Sequence, residues 1–157
     1  MNTHQNTKFA SVTPAATAHD NVALTTTVVD TLGFDYAQFY VYFGAVNASA
    51  LSVLNISEMT DSTGANTAII ANTNFASTAG ITAIDGSTLV LPGTTTASNT
   101  ALRIDVDCKG KERYLDLKAT VDNTTGTMLV SAFCLLSRAG QAPITEAGQG
   151  HSQVARG

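Results

Sequence analysis

The chain has 157 residues, which suits one domain with its own hydrophobic core, because a compact domain of this size removes about 70% of its unfolded surface from water. Its formal net charge of −4 argues against nucleic acid as a direct partner, since phosphate binding depends on a basic surface. Thr, Ala, Ser, Asn and Gly are abundant, and only 13% of the residues are charged. This composition favours strands and turns over amphipathic helices.

The first twenty residues are predicted to be an N-terminal arm, because Pro14 and the small residues after it cannot anchor a core. They contain no apolar run long enough for a signal peptide, and no segment of the chain approaches the roughly 20 apolar residues of a membrane span. We therefore expect no membrane partner and synthesis in a reducing cytosol. The two cysteines, Cys108 and Cys134, are predicted to be buried, reduced thiols.

The segment NVALTTTVVD, residues 21–30, is predicted to be a strand with Val22, Leu24, Thr26 and Val28 on one face, and a turn ending at Gly33 follows it. The clearest strand is FDYAQFYVYFGAV, residues 34–46. Alternation predicts an inward face of Ala37, Phe39, Val41 and Phe43 and an outward face of Gln38, Tyr40 and Tyr42. The next strand is ALSVLNISEM, residues 50–59. Residues 60–100 hold short apolar islands, which predict short strands joined by long polar loops of the kind that contact partners.

The C-terminal half contains three strands, ALRIDVDC, RYLDLKATV and TMLVSAFCLLS, separated by short turns. Alternation predicts inward faces on the first two, which are Leu102, Ile104, Val106 and Cys108, and then Leu115, Leu117, Ala119 and Val121. The spacing predicts an antiparallel meander, with the nearly continuous apolar third strand in a central position and buried on both faces. The predicted fold is all-β, an antiparallel β-sandwich or jelly-roll with extended N- and C-terminal arms. Its predicted boundaries are an arm over 1–20, a sandwich domain over 21–138 and a Gly-rich tail over 139–157.

The polar residues predict no catalytic centre. His4, His19 and His151 all lie in the predicted terminal segments, where no scaffold would fix a catalytic base. Asp105 and Asp107 share one strand face with Arg103, and we favour cross-strand ion pairing there over a metal site or a carboxylate pair. The sequence therefore predicts no enzyme activity, no metal and no cofactor.

The stretch DCKGKERYLDLKA, residues 107–119, gathers half of the chain's eight basic residues around one turn. One interpretation is a solvated hairpin, and the other is a patch that docks on an acidic neighbour. Under both, changing its turn cations to Ser is expected to leave folding intact. The candidate interface residues are Lys109, Lys111, Arg113, Tyr114 and Lys118, with Tyr40 and Tyr42 on the earlier strand.

Two long segments carry a family resemblance. GKERYLDLKATVDNTTGTMLVSAFCLLSRAGQAPIT and VVDTLGFDYAQFYVYFGAVNASALSVLNISEMTDSTG resemble a group of small tailed-bacteriophage virion structural proteins encoded near head genes. The matching features are the basic-Tyr-Leu-Asp segment, the turn at Gly126–Thr127, and Leu136–Ala139 ahead of Pro143. Gly140 stands where the group usually has an acidic residue. The resemblance covers roughly half of the chain.

This resemblance implies a non-enzymatic head decoration, or cement, protein. Such a protein assembles in the host cytoplasm and then lies on the capsid surface of the virion. The implied partners are the major capsid protein and further copies of the chain, as a homotrimer. Two alternatives stay open: another virion part (tail, neck or fibre), and a carbohydrate-binding β-sandwich module that stacks sugars on Tyr40, Tyr42 or Tyr114.

Overall fold

The computed structural model describes residues 6–13, 18–19, 26–47, 50–63, 67–71, 73, 75–76, 81–82, 88–89, 100–122 and 127–140. Within these residues there are twelve β-strands and no α-helix. In chain order they are β1 (Lys8–Thr13), β2 (Ala18–His19), β3 (Val29–Asp30), β4 (Phe34–Asn47), β5 (Ala50–Met59), β6 (Ala68–Ile69), β7 (Phe75–Ala76), β8 (Ile81–Thr82), β9 (Thr88–Leu89), β10 (Thr100–Asp107), β11 (Tyr114–Asp122) and β12 (Thr127–Ala139). No helix in this part of the chain could cross a membrane.

Two antiparallel sheets contain all of the long strands. Sheet A has the order β1-β12-β4-β10, with β2 also pairing with β12. Sheet B has the order β3-β11-β5-β6, with β7 also pairing with β5, and β8 and β9 form a separate pair. The predicted all-β antiparallel sandwich is confirmed.

The core lies between the two sheets and is built by strands that alternate with a period of two. Sheet A contributes Ala37, Phe39, Val41 and Phe43 from β4 and Met128, Val130, Ala132, Cys134 and Leu136 from β12. Sheet B contributes Leu54 and Ile56 from β5 and Leu115, Leu117, Ala119 and Val121 from β11. The inward faces predicted for β4, β10 and β11 are confirmed. Each large side chain buried here contributes roughly 1.5–3 kcal/mol to stability.

The predicted C-terminal meander is wrong. β10 pairs with β4 in sheet A, β11 pairs with β5 and β3 in sheet B, and β12 returns to sheet A between β1 and β4. The connections are therefore arches that cross from one sheet to the other. The connection over 108–113 is long enough for this, because six extended residues span up to about 20 Å and packed sheets lie about 10 Å apart.

The predicted central position of β12 is confirmed, but its burial on both faces is not. β12 lies between β1 and β4, and its even-numbered residues face the core. On the opposite face Phe133 is 37% exposed. The apolar run on β12 therefore supplies both the core and part of the molecular surface.

Residues at both predicted arms take part in sheet A where the structure describes them. β1 lies inside the predicted arm over 1–20 and pairs along β12, and Val12 is buried in the core. At the other end Ala139 pairs with Phe34, and the Gly140 N–H donates to the Gly33 carbonyl at 2.7 Å. Residues 1–5 and 141–157 lie outside the described part.

Two arches at the same end of the sandwich depend on glycine. Gly33 ends the turn between β3 and β4, with φ of +85°, and Gly110 lies in the arch between β10 and β11, with φ of +74°. A side chain at either position would meet no atom within 4 Å, so any cost of substitution comes from the left-handed backbone and not from a clash.

Replacing Gly110 with Ala should therefore lower the free energy of unfolding by about 1 kcal/mol, because an L-residue with a Cβ is strained at this φ. Gly110→Asn should cost less, since Asn tolerates the left-handed region better. Urea unfolding followed by circular dichroism measures both effects.

Gly140→Ala is the matched control. A Cβ there would meet only the Gly33 carbonyl oxygen at an ordinary 3.6 Å. Equal unfolding midpoints for Gly110→Ala and Gly140→Ala would contradict the assigned conformation of the arch.

Candidate functional site

One end of the sandwich, here called the charged end, collects charges from six strands and the loops between them. β1, β4 and β11 begin there, β5, β10 and β12 end there, and the turn between β3 and β4 closes it. Its acidic residues are Asp30, Asp35, Glu58, Asp61, Asp107 and Glu112, and its basic residues are Lys8, Lys109, Lys111, Arg113 and Arg138. The acidic residues outnumber the basic ones by one, so this end is not a basic surface.

Arg113 fastens the arch over 108–113 to β3. Its Nε and Nη2 donate to the two carboxylate oxygens of Asp30 at 2.8 and 2.6 Å. The Arg113 carbonyl accepts from both the backbone N–H and the hydroxyl of Thr31, at 3.0 and 2.7 Å. The hydrogen bonds from Arg113 lower the pKa of Asp30 below its ordinary value, although partial burial opposes the shift. This geometry makes Arg113 a structural residue first.

Lys111 and its neighbour fasten the same arch to β5. The Lys111 ammonium lies 3.8 Å from Oε1 of Glu58, whose Oε2 accepts from the backbone N–H of Glu112 at 3.0 Å. Ser at Arg113 or Lys111 would remove these contacts between separate strands, so the expectation that folding stays intact remains a prediction.

Lys109 and Lys118 are the predicted patch residues with side chains directed to solvent. Lys109 is exposed at the turn, where its backbone N–H donates to Asp107 Oδ1 at 3.0 Å. Lys118 is exposed on the outward face of β11. Tyr114 is half-buried on β11. The Arg113 guanidinium lies over its ring, with the guanidinium carbon 4.9 Å from the ring centroid of Tyr114. The residues of the predicted patch therefore fall into two groups. Arg113 and Lys111 form ion pairs within the protein, and Lys109 and Lys118 are exposed to solvent.

The ion pair on β10 forms within the strand and not across strands. Nη2 and Nε of Arg103 both lie 3.1 Å from Asp105 Oδ2, and both side chains are more than half exposed. The residues opposite on β4 are Tyr40 and Gln38, which carry no charge to pair with. The prediction of cross-strand pairing is wrong for this reason. Among the described residues, no cluster of three or more His, Cys, Asp or Glu is placed to hold a metal ion.

The outer face of sheet A carries an aromatic strip, defined here as Phe9, Phe133, Tyr40 and Tyr42. The ring centroids of Phe9 and Phe133 are 5.3 Å apart, and Tyr40 stacks on Phe133 with centroids 4.9 Å apart. Tyr42 is 45% exposed at the end of the strip. Sequence reasoning found the tyrosines but missed both phenylalanines. Phe133 could have been found, because an inward Ala132 and Cys134 force it outward.

The outer face of sheet B is covered along part of β5, although Val53 is 36% exposed and Lys118 is exposed on β11. Asn55, Ser57 and Met59 point away from the core but are 5%, 0% and 1% exposed. Ser57 donates to Asn55 at 3.3 Å, and Thr26 donates to Asp116 at 2.6 Å. Of the two outer faces, that of sheet A therefore offers the aromatic contact surface.

The structure places the remaining sequence candidates apart from one another. Tyr114 belongs to sheet B, whereas Tyr40 and Tyr42 belong to sheet A, so the three cannot form one platform. The backbone of His19 lies in β2, while His4 and His151 fall outside the described residues.

The two thiols are free, as predicted, but they differ in burial. Cys134 is fully buried and Cys108 is half-buried. Burial raises the pKa of Cys134 to about 12. Burial, and then the nearby Asp107 and Asp35 carboxylates, raise the pKa of Cys108 to about 11. Both thiols are therefore protonated near neutral pH and are poor nucleophiles.

A scan against protein-family models finds no match for the chain, and neither does a search of the curated proteins. The resemblance to phage virion proteins accordingly stays a prediction.

Replacing Asp30 with Asn should lower stability near neutral pH, because Arg113 loses both charged acceptors. The pKa of Asp30 in the folded protein lies below the ordinary value of 3.8. The ion pair of Asp30 with Arg113 therefore contributes fully to the free energy of unfolding above the ordinary pKa. This contribution is lost as the pH falls through the lowered pKa of Asp30 in the folded protein. The difference in urea midpoint between parent and variant should be small but measurable at about pH 7 and vanish in strong acid.

Glu112→Gln is the control for this experiment. Glu112 lies at the same charged end with an exposed side chain, and its contact with Glu58 uses only its backbone N–H. Its substitution should leave the midpoint unchanged at both pH values. A parent-like Asp30→Asn midpoint at neutral pH would show that the Arg113 contacts do not stabilise the fold.

Proposed function

We propose that this protein is a non-enzymatic decoration protein of a bacteriophage head, which binds the major capsid protein on the outside of the shell. The observation that carries the proposal is the asymmetry of the sandwich. The outer face of sheet B is covered only in part and presents Val53 and Lys118 to solvent, whereas the outer face of sheet A presents the aromatic strip, with Tyr42 45% and Phe133 37% exposed.

The aromatic strip has the chemistry of a protein interface. Tyr and Phe are enriched at interface centres, because they bury a large area and lose few rotamers on binding. Around the strip lie Arg103 and Asp105, whose exposed charges suit the rim of such an interface. The face is thus built for a flat protein surface of mixed polarity.

The charged residues of the arch form ion pairs within the protein, which also supports a non-enzymatic, structural role in the virion. Arg113 and Lys111 fasten the arch over 108–113, and both thiols have raised pKa values. These groups serve the fold, and perturbed groups of this kind arise in structural networks as well as in active sites. Lys109 and Lys118 remain exposed for contact with acidic groups of a shell.

The resemblance further implies a homotrimer. Three copies on one shell site would act together, so each copy could bind weakly while the assembly binds tightly through a high effective concentration. We propose the virion capsid surface as the final location and the host cytoplasm as the place of assembly.

Cosedimentation with purified expanded heads tests the proposal. The parent protein should pellet with heads and saturate at a fixed ratio to the major capsid protein. Tyr42→Ser should weaken binding roughly tenfold, as expected for an interface tyrosine. Its fold should be unchanged, because Tyr42 is nearly half exposed.

Leu32→Ser is the matched control, since Leu32 is 66% exposed but lies on the turn at the charged end, away from the aromatic strip. It should bind heads as the parent does. Parent protein that stays in the supernatant at every concentration would overturn the head-decoration proposal. Labelled protein found on tails, necks or fibres would assign it to another part of the virion.

A carbohydrate-binding module is the second candidate, favoured by a shallow pocket beside the aromatic strip. It lies on the outer face of sheet A, between β4, β10 and β12. Its polar lining is Tyr36, Gln38, Asp105, Asp107 and Ser137. Carboxylate, amide and hydroxyl groups next to tyrosine rings suit sugar hydroxyls and sugar faces.

A glycan array distinguishes this candidate. Under it, specific binding should appear and should be lost in Tyr40→Ala but retained in Tyr114→Ala, because Tyr114 lies on the other sheet. Absence of any specific glycan binding by the parent would reject the module.

A further inference from the structure

Among the described strands, β10 forms one edge of sheet A, and its outer side is regular. Its eight residues pair with β4 without a register shift, and no described strand pairs with its other side. The Cys108 N–H donates to the Asp35 carbonyl at 2.9 Å, which fixes the phase of the ladder. Even-numbered residues of β10 therefore bond to β4, and the N–H and C=O groups of residues 101, 103, 105 and 107 point to the open side.

The side chains of these four residues stand on the outer face of the sheet. Ala101, Arg103, Asp105 and Asp107 are all exposed. Along the open edge their order is neutral, positive, negative, negative. Because antiparallel pairing reverses this order in a partner, the edge can be compared with a second copy of itself.

We propose that the β10 edges of two copies pair antiparallel about a twofold axis through Ile104, so that Arg103 of each copy lies opposite Asp105 of the second copy. Sheet A then continues from one copy into the other. Residues 101–107 of both strands overlap, with about eight backbone hydrogen bonds across the axis, two for each of four facing pairs.

Charge selects this register over its neighbours. Only odd-numbered residues face the open side, so the register can change only in steps that keep odd residues opposite odd residues. One such step places Arg103 opposite Arg103 of the second copy, and the step in the other direction places Asp105 opposite Asp105 of the second copy. Like charges directly opposite are destabilising in a sheet. The proposed register pairs unlike charges twice and has no like pair.

Two of the usual protections against such pairing are missing from β10, and its edge charges complement those of a second copy. Edge strands of monomeric proteins are blunted by proline, by bulges, by inward charges, by charges on the edge itself or by a covering loop. β10 contains no proline, and its charges all point outward. In the dimer the two exposed Arg103–Asp105 pairs, one within each β10 strand, can exchange for two pairs between copies without burying a charge.

This inference does not rest on the proposed capsid function. Pairing at β10 also places the aromatic strips of two copies on one continuous sheet surface. A twofold contact is compatible with a trimer, because it can join copies that belong to two neighbouring trimers.

Charge exchange on β10 tests the proposal in solution with the full chain. Sedimentation velocity should show the parent associating through a dimer contact. Arg103→Asp and Asp105→Arg each place like charges opposite one another twice, and each should weaken association roughly tenfold or more. The double variant Arg103→Asp/Asp105→Arg restores unlike pairs and should associate as the parent does.

Mixing the two single variants is the decisive arm. One chain then presents two carboxylates and the other two guanidinium groups, so a one-to-one complex should form although neither variant associates alone. A merely structural role for the pair within the strand cannot produce this rescue. Leu32→Asp is the control, because Leu32 is 66% exposed on the turn between β3 and β4, and its association should match the parent.

Several outcomes would overturn the proposal. They are a parent that stays monomeric at the highest attainable concentration, single variants that associate as the parent does, and a mixture that forms no complex. A trimer that none of these changes affects would also overturn it. Circular dichroism of each variant should match the parent, because both exchanged side chains are more than half exposed.

Discussion

Every long strand of this protein has one continuous apolar face, and the burial of these faces against one another is the constraint that shapes the rest of the structure. The strands of sheet A must face those of sheet B, so the chain crosses between the sheets at β2–β3, β3–β4, β4–β5, β10–β11 and β11–β12. Polar and charged residues collect in two of these crossings. The charged end follows from where the arches lie, and its Arg113–Asp30 pair joins two crossings that are far apart in the chain.

The sequence predicted which face of each strand is buried better than which strands are neighbours. Alternation identified Phe39 and Phe43 on β4 and Leu115 and Leu117 on β11 as core residues, and all four are buried. Alternation carries no information about pairing, so three successive strands with short connections looked like a meander. The same limit explains the missed strand β1, whose position depends on its pairing with β12, more than a hundred residues later.

The candidate surfaces show the same limit in a second form. The basic cluster looked like one patch because its residues are close in sequence. The arch directs Arg113 to β3 and Lys111 to β5, whereas Lys109 and Lys118 remain at the surface. The aromatic strip was only half visible in the sequence, because its rings come from β1, β4 and β12, which the chain brings together only on folding.

Arg113 and Lys111, with Asp30 and Glu58, hold the arch over 108–113 and so leave little of the basic cluster for partners. Among the described residues, the outer face of sheet A and the open side of β10 are surfaces that the fold leaves exposed, and they adjoin each other. An apolar aromatic face gives affinity through buried area but little orientation, because hydrophobic contact is non-directional. A strand edge gives orientation, because its hydrogen bonds and opposed charges fit only one register. The two surfaces together therefore suit an assembly that must bind firmly and in one arrangement.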